Sequence, residues 1–152
     1  MLPMEHRARV TWRNDGAPFT YKSYAREHEW HFDTRVVIVA SAAPEFGGKP
    51  EHIDPETGFV ASLASCHMLS FLALAARKGW IVESYDDNAV GILEKNAAGR
   101  LAITKVTLKP LVRFASAISL PRSEVEIVHH QAHEECFIAN SVKTEVRVEP
   151  QY

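Results

Sequence analysis

Two cysteines, Cys66 and Cys136, are the only thiols in this 152-residue chain, and each sits where a thiol could do chemistry. Cys66 lies inside the most apolar stretch, Phe59 to Ala76 (FVASLASCHMLSFLALAA), and Cys136 lies seventy residues later in HHQAHEECFIANS. Thiol redox chemistry is the use such positions suggest, with metal ligation and plain burial as the other uses of a cysteine. A free thiol of pKa about 8.5 is only a few per cent thiolate at neutral pH, and burial in an apolar helix raises that pKa further. A nucleophilic Cys66 therefore needs a cation. A guanidinium at about 4 Å, at an effective dielectric near 20, contributes roughly 4 kcal/mol, enough to offset desolvation and bring the thiol below its free pKa.

Histidines offer a second chemistry. His129, His133 and Cys136 fall at i, i+4 and i+7 on one helical face, a spacing that can ligate zinc, with His67 or Glu134 as further ligands. Histidines that flank an apolar stripe more often serve as surface or hydrogen-bonded residues, so a metal is the alternative and not the first expectation.

The element that carries Cys66 is legible from its ends. Asp54-Pro55-Glu56 supplies a capping acceptor, a proline at the first helical position and an acid in the first turn, while Arg77-Lys78-Gly79 supplies cations and a terminating glycine. One long helix over 55–78 is expected. Only Ser62, Ser65, His67 and Ser70 interrupt its apolar character, so no face is clearly solvent-facing and the helix should be buried on every side, the core of the protein. Eighteen largely apolar residues also fit a membrane span, but a histidine, three serines and alanine-rich surfaces in an otherwise ordinarily charged chain argue against one.

Length and composition point to one soluble domain over residues 1–152, with 46% hydrophobic and 24% charged residues. A formal charge of −2 without a basic cluster leaves no electrostatic footprint for nucleic acid or an anionic membrane. The start MLPMEHRARV has no signal-peptide stretch, so a cytoplasmic protein is expected, where a structural disulfide is the less expected use of two cysteines.

Other elements follow from pattern. Ala8, Val10 and Trp12 alternate with charged residues, Asn14-Asp15-Gly16 makes a turn, and Phe19 and Tyr21 start a second run, which predicts a hairpin. Val36 to Ala40 reads as a buried strand, and Ala43 to Pro50 as an exposed loop leading to the long helix. Strands near 81–94 and 101–114 are joined by a turn at Asn96-Ala97-Ala98-Gly99, and the apolar parity switches between Ile103 and Val106, which predicts a bulge. Ser123-Glu124-Val125-Glu126 reads as a capping box opening a second helix, on which Val125, Val128, Ala132 and Cys136 make an inward stripe while His130 and Glu134 point away. Val142 to Val148 alternates as a last strand. The order is α+β with mainly antiparallel sheet and a helix too apolar for one chain to cover, which an obligate homodimer would cover.

Beyond pattern, Asp54-Pro55-Glu56 ahead of Ala64-Ser65-Cys66-His67 resembles the N-P-E-x-L…A-C signature of the OsmC/Ohr family (osmotically inducible protein C and organic hydroperoxide resistance protein). Cys136-Phe137-Ile138-Ala139-Asn140-Ser141 resembles the family's second cysteine motif, C-P-x-S/A-N, and Tyr24-Ala25-Arg26-Glu27-His28 resembles the segment that carries its arginine in some members. The departures are Asp54 for asparagine, Thr57-Gly58 for the usual pair after the glutamate, and Phe137 for proline.

The resemblance implies an OsmC-like fold, an intertwined homodimer with a long buried central helix, and reduction of organic hydroperoxides. It implies Cys66 as the peroxidatic and Cys136 as the resolving cysteine, joined as a disulfide in the cycle, with Arg26 and Glu56 in the site and Arg35 as the other arginine to consider. No bound cofactor is implied, and reduction would come from an external dithiol of lipoyl type. The apolar residues near Cys66, among them Phe59, Met68 and Phe71, suit an alkyl or fatty-acyl hydroperoxide. Glu56 and Cys66 are ten residues apart on one helix, about 15 Å along its axis and about 80° around it, so a site using both is expected to be shared between two chains. A zinc-binding protein, or a non-catalytic dimer on the same scaffold, is the alternative.

Overall fold

The computed structural model describes residues 1–116 and 119–152. By its internal packing the chain divides into two compact units, Met1–Gly58 and Phe59–Tyr152. The division follows the hydrogen bonding, because among the described residues the first three strands form a sheet that no other strand joins.

In the first unit, β1 (Ala8–Thr11), β2 (His28–Phe32) and β3 (Val37–Ala40) form an antiparallel sheet with β2 in the centre. The expected hairpin is corrected here, since β1 pairs with β2 (Val10 opposite Trp30) and not with residues 19–21. Residues 18–24 fold back on themselves instead. Ser23 Oγ and the backbone of Thr20 both bond to the Pro18 carbonyl, and Trp12, Phe19 and Tyr24 cluster with ring centroids 5.7–6.5 Å apart. β3 is a strand as expected but is only partly buried, since Ala40 is fully buried while Val37 and Val39 are 49% and 46% exposed.

Helix α1 spans Pro55–Arg77, within one residue of expectation, and both of its ends show why. Asp54 accepts from the Thr57 amide (2.7 Å) and the Thr57 hydroxyl (2.8 Å), bonds that outweigh burial and hold its carboxyl below the usual range. At the other end Gly79 takes a left-handed φ of 73°, with Gly79 N–H donating to Ala76 and Trp80 N–H to Ala75, a Schellman closure. Within the chain the helix buries a single stripe, Leu63, His67, Phe71 and Ala75. Burial on every side is not what one chain provides, because Ala61, Ser65 and Ala73 are exposed and Leu69 is 60% exposed.

In the second unit each of the two expected strands is broken into two. β4 (Val82–Asp87) pairs antiparallel with β7 (Pro110–Phe114), and β5 (Val90–Lys95) pairs antiparallel with β6 (Leu101–Leu108). The break is held by Asp87, whose carboxylate accepts from the Lys109 amide at 2.7 Å. The expected bulge falls on Thr104, since Ile92 faces Lys105 while Leu93 faces Ile103. Strand β8 (Glu145–Val148) adds to β6 in parallel, so the sheets are mainly antiparallel with one parallel pair. Gly91 is needed where β5 crosses α1, because a Cβ there would meet Val60 at 2.5 Å.

Helix α2 (Arg122–Glu135) has no side-chain cap, which corrects the expected capping box. Pro121 precedes the first turn, and the Glu126 carboxylate bonds to Arg122 (2.9 Å) instead of reaching back to Ser123. Val125, Val128, Ala132 and Cys136 are buried in the expected stripe, and packing against Phe71 and Ala75 joins α2 to α1 in one core. A second core gathers Leu63, Val106 and Leu108.

Candidate active site

Cys66 is half-buried on α1, and Cys136 is fully buried as the residue that closes α2. The two thiols are free, and Cys66 lies near enough to Cys136 to raise its pKa. Burial first, and then the neighbouring Cys66 thiol, push the Cys136 thiol up to about 11. The motif after Cys136 folds around it: the Ala139 amide donates to the sulfur at 3.4 Å, Asn140 N–H to the Cys136 carbonyl at 3.0 Å, and Ser141 Oγ to the Phe137 carbonyl at 2.7 Å. Phe137, which stands where the resemblance expects proline, is exposed.

Next to the thiols, a second pair also ties α1 to α2. His67 Nε2 and His129 Nδ1 are 3.1 Å apart, the rings are stacked 5° from parallel, and Phe71 stacks on His129 at 4.2 Å. Burial takes His67 down to about 3, with His129 and His133 adding to the effect, and takes His129 down to about 4, so both rings are neutral at physiological pH. One ring nitrogen of the pair must donate and the other accept, which leaves His67 Nδ1 and His129 Nε2 buried without partners among the described residues. This pairing was not foreseen. Its signal was present, since His67 sits at the four-residue spacing of Leu63 and Phe71 on the one stripe that α1 buries.

Among the described residues no group of three His, Cys, Asp or Glu side chains that could hold a metal ion is found. His129 turns inward to His67, whereas Glu134 pairs with His130 on the surface at 3.4 Å. Phe71, expected beside the substrate, is wholly buried against Tyr85 and His129 and belongs to the core; Met68 is half-buried, and Phe59 lines an open cleft.

In the first unit Arg26 and Glu56 line one largely apolar cleft together with Trp12, Tyr24 and Phe46. No ion pair joins Arg26 to Glu56 among the described residues. The guanidinium is held instead by main-chain carbonyls, Nε by Phe46 (3.2 Å), Nη1 by Tyr24 (2.6 Å) and Nη2 by Tyr21 (2.6 Å), and it lies 4.0 Å over the Tyr24 ring. Among the described residues three of the five N–H groups of the fork are thereby engaged and two remain to donate. The chain behind it is also set: Trp30 N–H donates to His28 Nε2 at 3.0 Å, so Nδ1 carries the proton that bonds the Arg26 carbonyl at 2.8 Å. Arg35, the other arginine considered, sits exposed in the β2–β3 turn with a left-handed φ of 65°.

Two free neighbouring thiols, one on a long apolar helix and one closing a second helix, in an α+β chain of mainly antiparallel sheets, define a dithiol protein. The chain belongs to the family described as OsmC-like protein, whose model matches residues 48–151. Among solved structures it is similar to an OsmC-like protein of unknown function from Vibrio cholerae, at 48% identity over 98% of this chain and 100% of that one, with a TM-score of 0.95. An organic hydroperoxide resistance protein OsmC from Legionella pneumophila, also described as a predicted redox protein, shares the fold at 17% identity with a TM-score of 0.75, covering 100% of both chains. A Vibrio cholerae protein described as a putative organic hydroperoxide resistance protein, with captopril in one of its active sites, does so at 18% identity and a TM-score of 0.70, over 98% of this chain and 92% of that one. No curated protein matches the chain.

Proposed function

We propose that this protein is a thiol peroxidase that reduces organic hydroperoxides. The observation that carries the reading is the meeting of the two cysteines, one partly open and one buried beside it. The Cys66 thiolate attacks the distal peroxide oxygen, the O–O bond breaks, and the alkoxide leaves to take up a proton while Cys66 becomes a sulfenic acid. Cys136 then gives up its proton and attacks the Cys66 sulfur, forming the disulfide and releasing water. An external dithiol, of the lipoyl type that the family suggests, returns both sulfurs to thiols and is itself oxidised to a disulfide. Arg26, with two free donors on a fixed fork, stabilises the thiolate and the departing oxygen, and Glu56 orients it. Two copies share each site, and the second copy covers the open face of α1 at Leu69.

Mass spectrometry after one equivalent of tert-butyl hydroperoxide tests this. The expected wild-type product is a Cys66–Cys136 disulfide. Cys136→Ser should react once and stall as a sulfenic acid open to over-oxidation, and Cys66→Ser should consume no peroxide. An unmodified Cys66 in the treated wild type overturns the reading.

A further inference from the structure

The second unit holds a cleft lined by neither thiol. It has a volume of about 600 Å³ and lies among the start of α1, the β5–β6 hairpin and the approach to β8. Phe59, Ala97, Ala102 and Ile103 give it apolar walls, and Phe59 is packed against the buried Leu63, Val106 and Leu108. Two cations line it from separate elements, Lys95 at the end of β5 and Lys143 just ahead of β8. Neither lysine has an acidic partner within ion-pair distance among the described residues, and no carboxylate lines the cleft. The nearby acids are engaged elsewhere: Glu94 accepts from Thr104 Oγ1 at 2.5 Å, and Glu145 pairs with Arg147 at 2.6 Å. An apolar trough with two uncompensated ammonium groups complements a ligand that is apolar along its length and anionic at one end.

Phe59 precedes Cys66 by seven residues on α1, which puts it about 10 Å away along the axis and within about 20° of the same face. We propose that Lys95 and Lys143 bind the carboxylate of a long-chain acyl hydroperoxide whose hydrocarbon chain lies over Phe59 and Ile103, with the peroxide placed mid-chain. This rests on the reading of Cys66 as the attacking thiol. It adds a specificity that an apolar pocket alone cannot supply, because hydrocarbon burial does not distinguish a free acid from its ester.

Steady-state kinetics with a fatty-acid hydroperoxide, its methyl ester and tert-butyl hydroperoxide provide the test. Exposed ion pairs are individually weak, so Lys95→Ala and Lys143→Ala should each raise KM for the acid about threefold and together about tenfold, with kcat unchanged. KM for the ester and for tert-butyl hydroperoxide should not move, and added salt should shrink the difference. Equal shifts for acid and ester, or no shift for either, overturn the proposal. Binding of palmitate and methyl palmitate to the reduced protein, followed by calorimetry, separates the two readings. Loss of palmitate binding in the double variant upholds the lysine site even if no hydroperoxide is turned over, and palmitate binding unaffected by both substitutions rejects it.

Discussion

The two units hold the polar groups of the candidate site in opposite ways. In the first, Arg26 is saturated on one side by three main-chain carbonyls and a tyrosine ring, so its geometry comes from hydrogen bonds. In the second, Cys136, His67 and His129 are almost without exposure, and the two histidines keep buried nitrogens with no partner among the described residues, so their chemistry comes from desolvation. The lesson is that a charge meant to stay a charge is held by donors and acceptors, whereas groups meant to stay neutral are held by removing water.

The sharpest way to break this contrast is at the arginine. Arg26→Lys keeps the charge but cannot span the Tyr21, Tyr24 and Phe46 carbonyls, so kcat/KM for an organic hydroperoxide should fall about hundredfold, the scale for losing an oriented donor at a developing oxyanion. Arg35→Lys should leave the rate within error, and a reversed outcome would move the arginine's role to the β2–β3 turn.

Desolvation of Cys136 predicts a slow, pH-dependent second step. With its thiol at about 11, the attacking thiolate becomes about tenfold more abundant for each pH unit between 7 and 9. Stopped-flow measurement of disulfide formation from the sulfenic acid should show that slope. A flat profile would mean that a nearby base takes the Cys136 proton.

The histidine pair predicts acid lability. His67 and His129 titrate near 6.5 when unfolded but only at about 3 and about 4 when folded, so below pH 6.5 the unfolded chain binds more protons. Their contribution is fully present above pH 6.5 and is lost as pH falls from there towards 4, at up to about 1.4 kcal/mol per pH unit for each ring. Chemical denaturation between pH 7 and 4.5 should show this loss, and His129→Asn should flatten it. An unchanged slope in that variant would place the acid sensitivity elsewhere.

The smallest effects separate a cap that forms from one that does not. Asp54→Ala removes two bonds at the start of α1 and should cost about 1 kcal/mol, while Ser123→Ala should change stability by less than about 0.5 kcal/mol because Ser123 caps nothing. Equal losses in thermal unfolding would show that the α2 terminus uses Ser123 in solution.

Local signals were legible wherever the deciding physics is itself local. The ends of α1 were readable because an aspartate before a proline and a glycine after a lysine act within one turn, and the Thr104 bulge was readable as a switch in side-chain parity. The thiols, their flanking motifs and the inward stripe of α2 belong to the same category, and the family resemblance travels with them. Tertiary structure alone decided what depends on distant partners. It chose β2 over residues 19–21 as the mate of β1, drew Glu126 to Arg122 and away from the expected cap, and stacked His67 on a histidine sixty-two positions away. Phe71 illustrates the limit: its type and place on α1 suit a substrate pocket or a core equally, and only the arrival of α2 and β4 put it in the core. A residue's type sets what it can do, but burial and pairing are sums over contacts that the chain makes only once it has closed on itself.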